Sequence, residues 1–164
     1  MNSLTLFKFQ PESDLSNWQT IQDVVMGGVS TANFKINKEG YGEYTGSVSL
    51  ENNGGFSSLH YKFNTKNIEG YSKVVLKLKG DGKIYQFRLK EKQSDKQAYI
   101  TKFSTTGDWQ TITVDLNTLY PTFRGKRLDL PNFDARQIEQ IAFLIANKKQ
   151  ESFQLILSSI ELIA

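Results

Sequence analysis

The chain has no cysteine, a single histidine and no long apolar run. Each shortage closes a class of function. Without cysteine there are no disulfides, no thiolate metal sites and no thiol nucleophile. The one imidazole, His60, cannot build a His-ligated zinc site, and it leaves a Ser-His-Asp triad a single candidate. No apolar stretch reaches the ~18 residues of a membrane-crossing helix, so a spanning segment is not expected. The opening residues, MNSLTLFKFQPESDLSNW, lack the basic start and apolar stretch of a secretory leader, and the expected localisation is cytoplasmic. Positive charge is in slight excess, with 20 Lys and Arg against 17 Asp and Glu. These charges are scattered, whereas nucleic-acid binders cluster theirs, so no nucleic-acid partner is expected.

What is present is a core. In 164 residues there are 11 Phe, 7 Tyr and 2 Trp, enough for one folded unit and too many for disorder. The expectation is a single domain over residues 1–164. Short alternating segments recur with turn residues between them, the pattern of an all-β sandwich or barrel. In Val74 to Lys90, Asp81-Gly82 reads as a two-residue hairpin turn. That register sets Leu78, Leu76 and Val74 opposite Tyr85, Phe87 and Leu89 on a buried face. It gathers Lys77, Lys79, Gln86 and Arg88 on the other, polar face.

Further strands are expected at Leu4–Phe9, Tyr41–Leu50, Phe56–Phe63, Tyr99–Phe103, Trp109–Leu116, Gln140–Ala146 and Phe153–Ile163. In Phe56–Phe63, alternation turns Leu59, Tyr61 and Phe63 to one side and His60 to the other. Asp134 reads as the N-cap of a short helical turn through Ile138. The stretch 117–133 reads as a long irregular loop, a frequent place for function.

Several motifs admit two readings. In Asp23-Val-Val-Met-Gly-Gly-Val-Ser30, paired glycines between apolar residues suggest a bend or close backbone approach. Asp23 either caps backbone amides there or stands exposed to hold a ligand or cation. Gly54-Gly55 is a tight turn entering a strand or a place where backbone nears a ligand. The polar face with Arg88 is either a solvated outer face or the floor of a groove. There the Arg fork would take carboxylate or hydroxyl groups, with Trp18 or Tyr41 stacking on a sugar ring. Arg124, in PTFRG, either binds a partner or braces its loop. Trp109 reads as a core anchor more readily than as a ligand platform. His60, with no partner recognisable in sequence, reads as a surface residue. No pair among the acidic residues is singled out by spacing for glycoside chemistry.

Trp18, DVVMGGVS (23–30), YTGSVSL (44–50), GGFSS (54–58), GDGKIYQFRL (80–89), Trp109, PTFRG (121–125) and FQLILSSIELI (153–163) occur in this order. Together they resemble the complex I intermediate-associated protein family. The resemblance implies a jelly-roll β-sandwich similar to galactose-binding domains, and a non-catalytic role. Family members of mitochondria resemble chaperones that assemble the membrane arm of respiratory complex I; this chain looks like a free-standing bacterial-type member.

The resulting expectation is a protein-binding, assembly-factor-like module with a protein client, respiratory-complex subunits among the candidates. The alternative is a carbohydrate-binding module using the polar sheet face. No catalytic residue, cofactor or metal is implied. The candidate binding residues are Asp23, Met26, Gly27, Gly28, Tyr85, Arg88, Phe123 and Arg124.

Overall fold

The computed structural model describes residues 3–23 and 28–164. The candidate residues Met26 and Gly27 lie outside the described residues. The strands are β1 (Ser3–Lys8), β2 (Trp18–Gln22), β3 (Thr31–Ile36), β4 (Gly42–Val48), β5 (Ser57–Asn67), β6 (Lys73–Lys79) and β7 (Ile84–Lys90). They continue with β8 (Ala98–Ser104), β9 (Trp109–Asp115), β10 (Tyr120–Phe123), β11 (Lys126–Arg127), β12 (Gln137–Ile145) and β13 (Glu151–Ile163).

They form two antiparallel sheets. The six-stranded sheet runs β3-β4-β13-β6-β9, with β1 also on β13. Strand β13 is long because two strands share one of its edges. Its first half pairs with β4 and its second half with β1. The seven-stranded sheet runs β11-β10-β8-β7-β12-β5-β2.

Alternation carries one row of side chains from each sheet into a common core. Leu76, Leu78, Leu155 and Leu157 come from one side, and Leu59, Tyr85, Phe87, Ile141 and Phe143 from the other. Most polar atoms within it are paired, as burial demands, with Trp18 Nε1 an exception. Tyr44 of β4 and Ser57 of β5 share a hydroxyl–hydroxyl bond of 2.6 Å between the sheets. At one end the aromatics of Phe7, Phe9, Trp18, Phe34 and Tyr61 pack together, Trp18 lying parallel to Tyr61 at 4.6 Å.

The expected hairpin over Val74–Lys90 does not form. Strand β6 pairs with β13 and β9, and β7 pairs with β8 and β12. Gly80–Lys83 is a crossing between sheets. The inward set was read correctly, because Val74, Leu76, Leu78, Tyr85, Phe87 and Leu89 are all buried. They meet across the core instead of side by side in one sheet. Alternation reports which side chains are buried, and a two-strand ribbon and a two-sheet arch satisfy it equally.

Two side chains hold the crossing. Asp81 accepts from the Tyr85 hydroxyl at 2.9 Å, from the Gln154 amide at 2.8 Å and from the Lys83 ammonium at 3.3 Å. Thr105 accepts from the Gly82 amide at 3.0 Å and donates to the Lys83 carbonyl at 2.7 Å. Gly80 has no room for a side chain, since a Cβ there would lie 2.3 Å from Thr105.

Two other expectations change. Asp134 caps no helix; the chain after it enters β12 at Gln137. The supposed irregular loop contains β10 and β11, joined by Arg124 and Gly125 at φ values of 52° and 78°. Two positive φ values in a two-residue turn match the twist of a tight hairpin.

Asp81 ties a backbone amide of one sheet to a tyrosine of the other. Asp81→Ala is therefore expected to cost about 3 kcal/mol, the scale of two lost charge-assisted hydrogen bonds. Asp108→Ala, at an exposed turn, is expected to stay within about 0.5 kcal/mol of the parent. Urea unfolding of both variants measures the difference.

Candidate functional site

The candidate residues among those described do not converge on one place. Asp23 and Gly28 lie beyond the end of edge strand β2, Arg88 on central strand β7, and Phe123 and Arg124 at the opposite edge. Tyr85 points into the core, where burial first and the neighbouring Asp81 second raise its pKa far above the ordinary range. It is a structural residue.

Asp23 is structural as well. It is fully buried, not exposed. Its carboxylate accepts from the Ser30 amide at 3.0 Å, the Ser30 hydroxyl at 2.5 Å, the Gly55 amide at 2.5 Å and the Phe56 amide at 3.3 Å. Burial pushes its pKa up, and these bonds outweigh burial to leave it lowered. Glycine is required around it. A Cβ on Gly28 would lie 2.3 Å from Asp23 Oδ1, and one on Gly54 2.5 Å from Oδ2. The two glycine motifs are thus halves of one clamp, and the amide-capping reading of Asp23 is the one the geometry bears out.

Phe123 is half-buried, with the Arg124 guanidinium 5.1 Å and the Lys96 ammonium 5.8 Å from its ring centre. Arg124, Lys126 and Arg127 are exposed on this hairpin.

The aromatics expected near Arg88 are elsewhere. Trp18 is buried in the core. Trp109 is no core anchor; it is 45% exposed on the six-stranded sheet, with Tyr41 4.7 Å away. Lys77 and Lys79 also belong to that sheet, so the expected four-residue polar face is divided.

What remains with Arg88 is the outward face of the seven-stranded sheet. Register places Gln19, His60, Ala142, Arg88, Ile100 and Tyr120 in one row across β2, β5, β12, β7, β8 and β10. A second row holds Lys62, Gln140 and Lys90, and a third Ser58, Leu144, Gln86 and Lys102. Thr122 and Arg127 continue the face on β10 and β11. The centre is sheltered. Ala142 is 1% exposed and Gln140 5%, so the small Ala142 floors a trough between His60 and Arg88.

His60 has two partners and is not a free surface group. Gln140 Nε2 donates to Nδ1 at 3.1 Å, so the ring proton sits on Nε2 and goes to Ser58 Oγ at 2.8 Å. Ser58 in turn donates to the Ile21 carbonyl at 3.2 Å. Burial first, then the charges of Arg88, Lys62 and Lys90, push the His60 pKa down to about 4. Arg88 donates to Gln86 Oε1 at 2.8 Å. Burial lowers its pKa and Tyr120 partly offsets that. Arg127 lies over the Tyr120 ring at 4.5 Å.

Sequence reading found Arg88 and missed Lys62, Lys90, Gln140, Tyr120 and Arg127. Their outward alternation was visible in part. Their neighbourhood was not, because it depends on strand order.

His60 gives the fold an acid weakness. The folded protein takes up its imidazole proton only near pH 4, the unfolded chain near pH 6.5. Stability is therefore expected to fall by up to roughly 3 kcal/mol between pH 6.5 and 4. Asp23, with its pKa lowered, adds a further loss as pH drops below the ordinary carboxylate value of about 4. Urea midpoints measured across this range should flatten between pH 6.5 and 4 in His60→Gln.

In structure the chain is similar to carbohydrate-binding modules. A family 11 module of a cellulosomal cellulase of Clostridium thermocellum matches with a TM-score of 0.76 at 17% identity, over 99% of this chain and 95% of that one. A family 11 module from Clostridium thermocellum in complex with a β-1,3-1,4-mixed-linked tetrasaccharide matches at 0.72 and 17%, over 96% and 95%. A family 29 module variant matches at 0.57 and 10%, over 99% and 91%. The likeness is one of fold, a jelly-roll β-sandwich of galactose-binding-like type. No curated protein sequence matches the chain. The family model for complex I intermediate-associated protein 30 matches residues 7–157, a span that includes the Asp23 clamp, the crossing at Asp81 and Arg88. The chain therefore belongs to the complex I intermediate-associated protein 30 family.

Proposed function

We propose that the chain is a non-catalytic binding module that takes a carbohydrate on the outward face of its seven-stranded sheet. The observation that carries this reading is the sheltered row of His60, Ala142 and Arg88, with Gln140 beside it. Arg88 and Gln140 offer fixed donors and acceptors beside a small floor, with His60 holding Gln140 in place, the chemistry that hydroxyl-rich ligands require. The large apolar side chains that are exposed, Val29, Leu50, Ile84, Trp109 and Leu130, do not occupy its centre. A protein interface core draws on such anchors. The fold of the similar carbohydrate-binding modules adds an analogy, which alone carries little weight.

Affinity electrophoresis against a panel of soluble glycans tests the proposal. At least one glycan should retard the chain, and Arg88→Ala should weaken that binding about tenfold or more at an unchanged melting temperature. Tryptophan fluorescence should stay constant on binding, since Trp18 is in the core and Trp109 on the other sheet. Failure of every glycan to bind removes the reading.

A second reading, a protein client of the assembly-factor kind, draws on the family and on one feature. The β10–β11 hairpin presents Phe123 flanked by Arg124 and Lys96, an aromatic with cations of the kind found at interface hot spots. Respiratory-complex subunits are the first clients to test under it. Cross-linked capture from cells should then enrich them, and Phe123→Ala and Arg124→Ala should each abolish the enrichment without unfolding the chain.

A further inference from the structure

The face that carries the proposed carbohydrate site is charged with one sign. Lys62, Lys90, Arg88, Lys102 and Arg127 all stand in its register rows, and those rows contain no Asp or Glu. The four ion pairs among the described residues join Lys35 to Glu43, Lys73 to Asp115, Lys83 to Asp81 and Lys149 to Glu151. None involves a cation of this face. Two acids beside the face hold backbone and side-chain groups, and the Asp95 charge also acts on Lys90. Asp95 accepts from the Lys92 amide, and its carbonyl takes Lys90 Nζ at 2.8 Å. Glu139, beyond the Lys62 row, accepts from Thr65 and from the Gln93 amide.

Arg88 is the central anomaly. Its guanidinium is half-buried among strands, and its one hydrogen-bond partner among the described residues is the neutral amide of Gln86. Buried cations are ordinarily paired with anions. The like charges beside it, Lys62 and Lys90, are strong enough to help depress the His60 imidazole. A face arranged this way is incomplete without negative charge from outside.

Resting on the carbohydrate reading above, we propose that the ligand is an acidic polysaccharide, a polymer whose sugar units carry carboxylates. Arg88 receives a carboxylate through its planar fork. Lys62, Lys90 and Lys102 receive neighbouring acidic units as point charges. Gln140 and Gln86 meet the hydroxyls between them with the amide atoms their own bonds leave over. The size of the face requires a polymer. From β5 to β10 it crosses four strand spacings, about 19 Å. Two recesses lie elsewhere, one of 460 Å³ beside Tyr71 and Phe133 and one of 210 Å³ beside Tyr41 and Trp109. A small anion would favour a closed site.

Isothermal titration of the full chain with four probes tests this. They are polygalacturonate, the same polymer with its carboxylates reduced to alcohols, neutral mixed-linkage β-glucan, and polyglutamate. Polygalacturonate should bind, at least tenfold more tightly than its reduced form, and binding should weaken as salt is raised. Arg88→Gln and the double variant Lys62→Gln with Lys90→Gln should each lose about tenfold or more. Lys148→Gln, on an exposed turn, should bind like the parent. The double variant changes peripheral side chains and guards against a folding defect at Arg88. Equal binding of the acidic and reduced polymers, or tighter binding of the neutral glucan, overturns the acidic ligand and leaves the carbohydrate reading standing. Equal binding of polyglutamate overturns the glycan in favour of an acidic peptide. Binding of no probe overturns this proposal, while the broad glycan panel decides the carbohydrate reading separately.

Discussion

The crossing at Gly80–Lys83 sets the geometry on which the rest of the structure depends. Asp81 bonds the Gln154 backbone in one sheet and the Tyr85 hydroxyl in the other. With that link made, Leu76 and Leu78 look across the core at Tyr85 and Phe87. Alternation then leaves Gln86, Arg88 and Lys90 no direction but outward. The cationic face is the reverse side of core packing. A carboxylate used for backbone amides, with a glycine beside it to let the chain approach, is thus an architectural device here.

The same device recurs at Asp23. Four donors from Ser30, Gly55 and Phe56 converge on a fully buried carboxylate. Gly28 and Gly54 are crowded against it. Two motifs about thirty residues apart are held by this one group. A charge so placed is stable because its hydrogen bonds replace hydration. The most distinctive motif of the chain is thus accounted for by its own hydrogen bonds.

That face draws its character from strand neighbours far apart in sequence. His60, Ala142 and Arg88 belong to β5, β12 and β7. Each is unremarkable alone. Side by side they make a trough with a neutral imidazole on one wall and, on the other, a guanidinium whose partner among the described residues is a neutral amide. The hairpin with Phe123 and Arg124 stands at the edge of the same sheet, so a glycan reading and a protein-client reading concern different parts of one surface. The family and the similar folds fit a binding role under either.

By itself the sequence determined the fold class, most strand positions and the inward set of side chains. The periodicity of burial is a local property, legible in segments such as Val74–Leu78, Tyr85–Leu89 and Leu59–Phe63. At Asp23 and its glycines the sequence left two readings, a capped bend or an exposed ligand site, because glycine pairs report backbone crowding and not its cause. Tertiary structure decided everything that depends on which strands are neighbours. It turned the Asp81-Gly82 hairpin into a crossing, since alternation cannot distinguish pairing within a sheet from facing across a core. It brought Trp109 to the surface and Trp18 into the interior, since both sit at strand starts with similar local patterns. It gave His60 its partners Ser58 and Gln140, the second eighty residues away. It also assembled Lys62, Arg88, Lys90, Lys102 and Arg127 on one side, in register rows that hold no Asp or Glu. Charge that is scattered along a chain becomes a patch only when strand order folds it together.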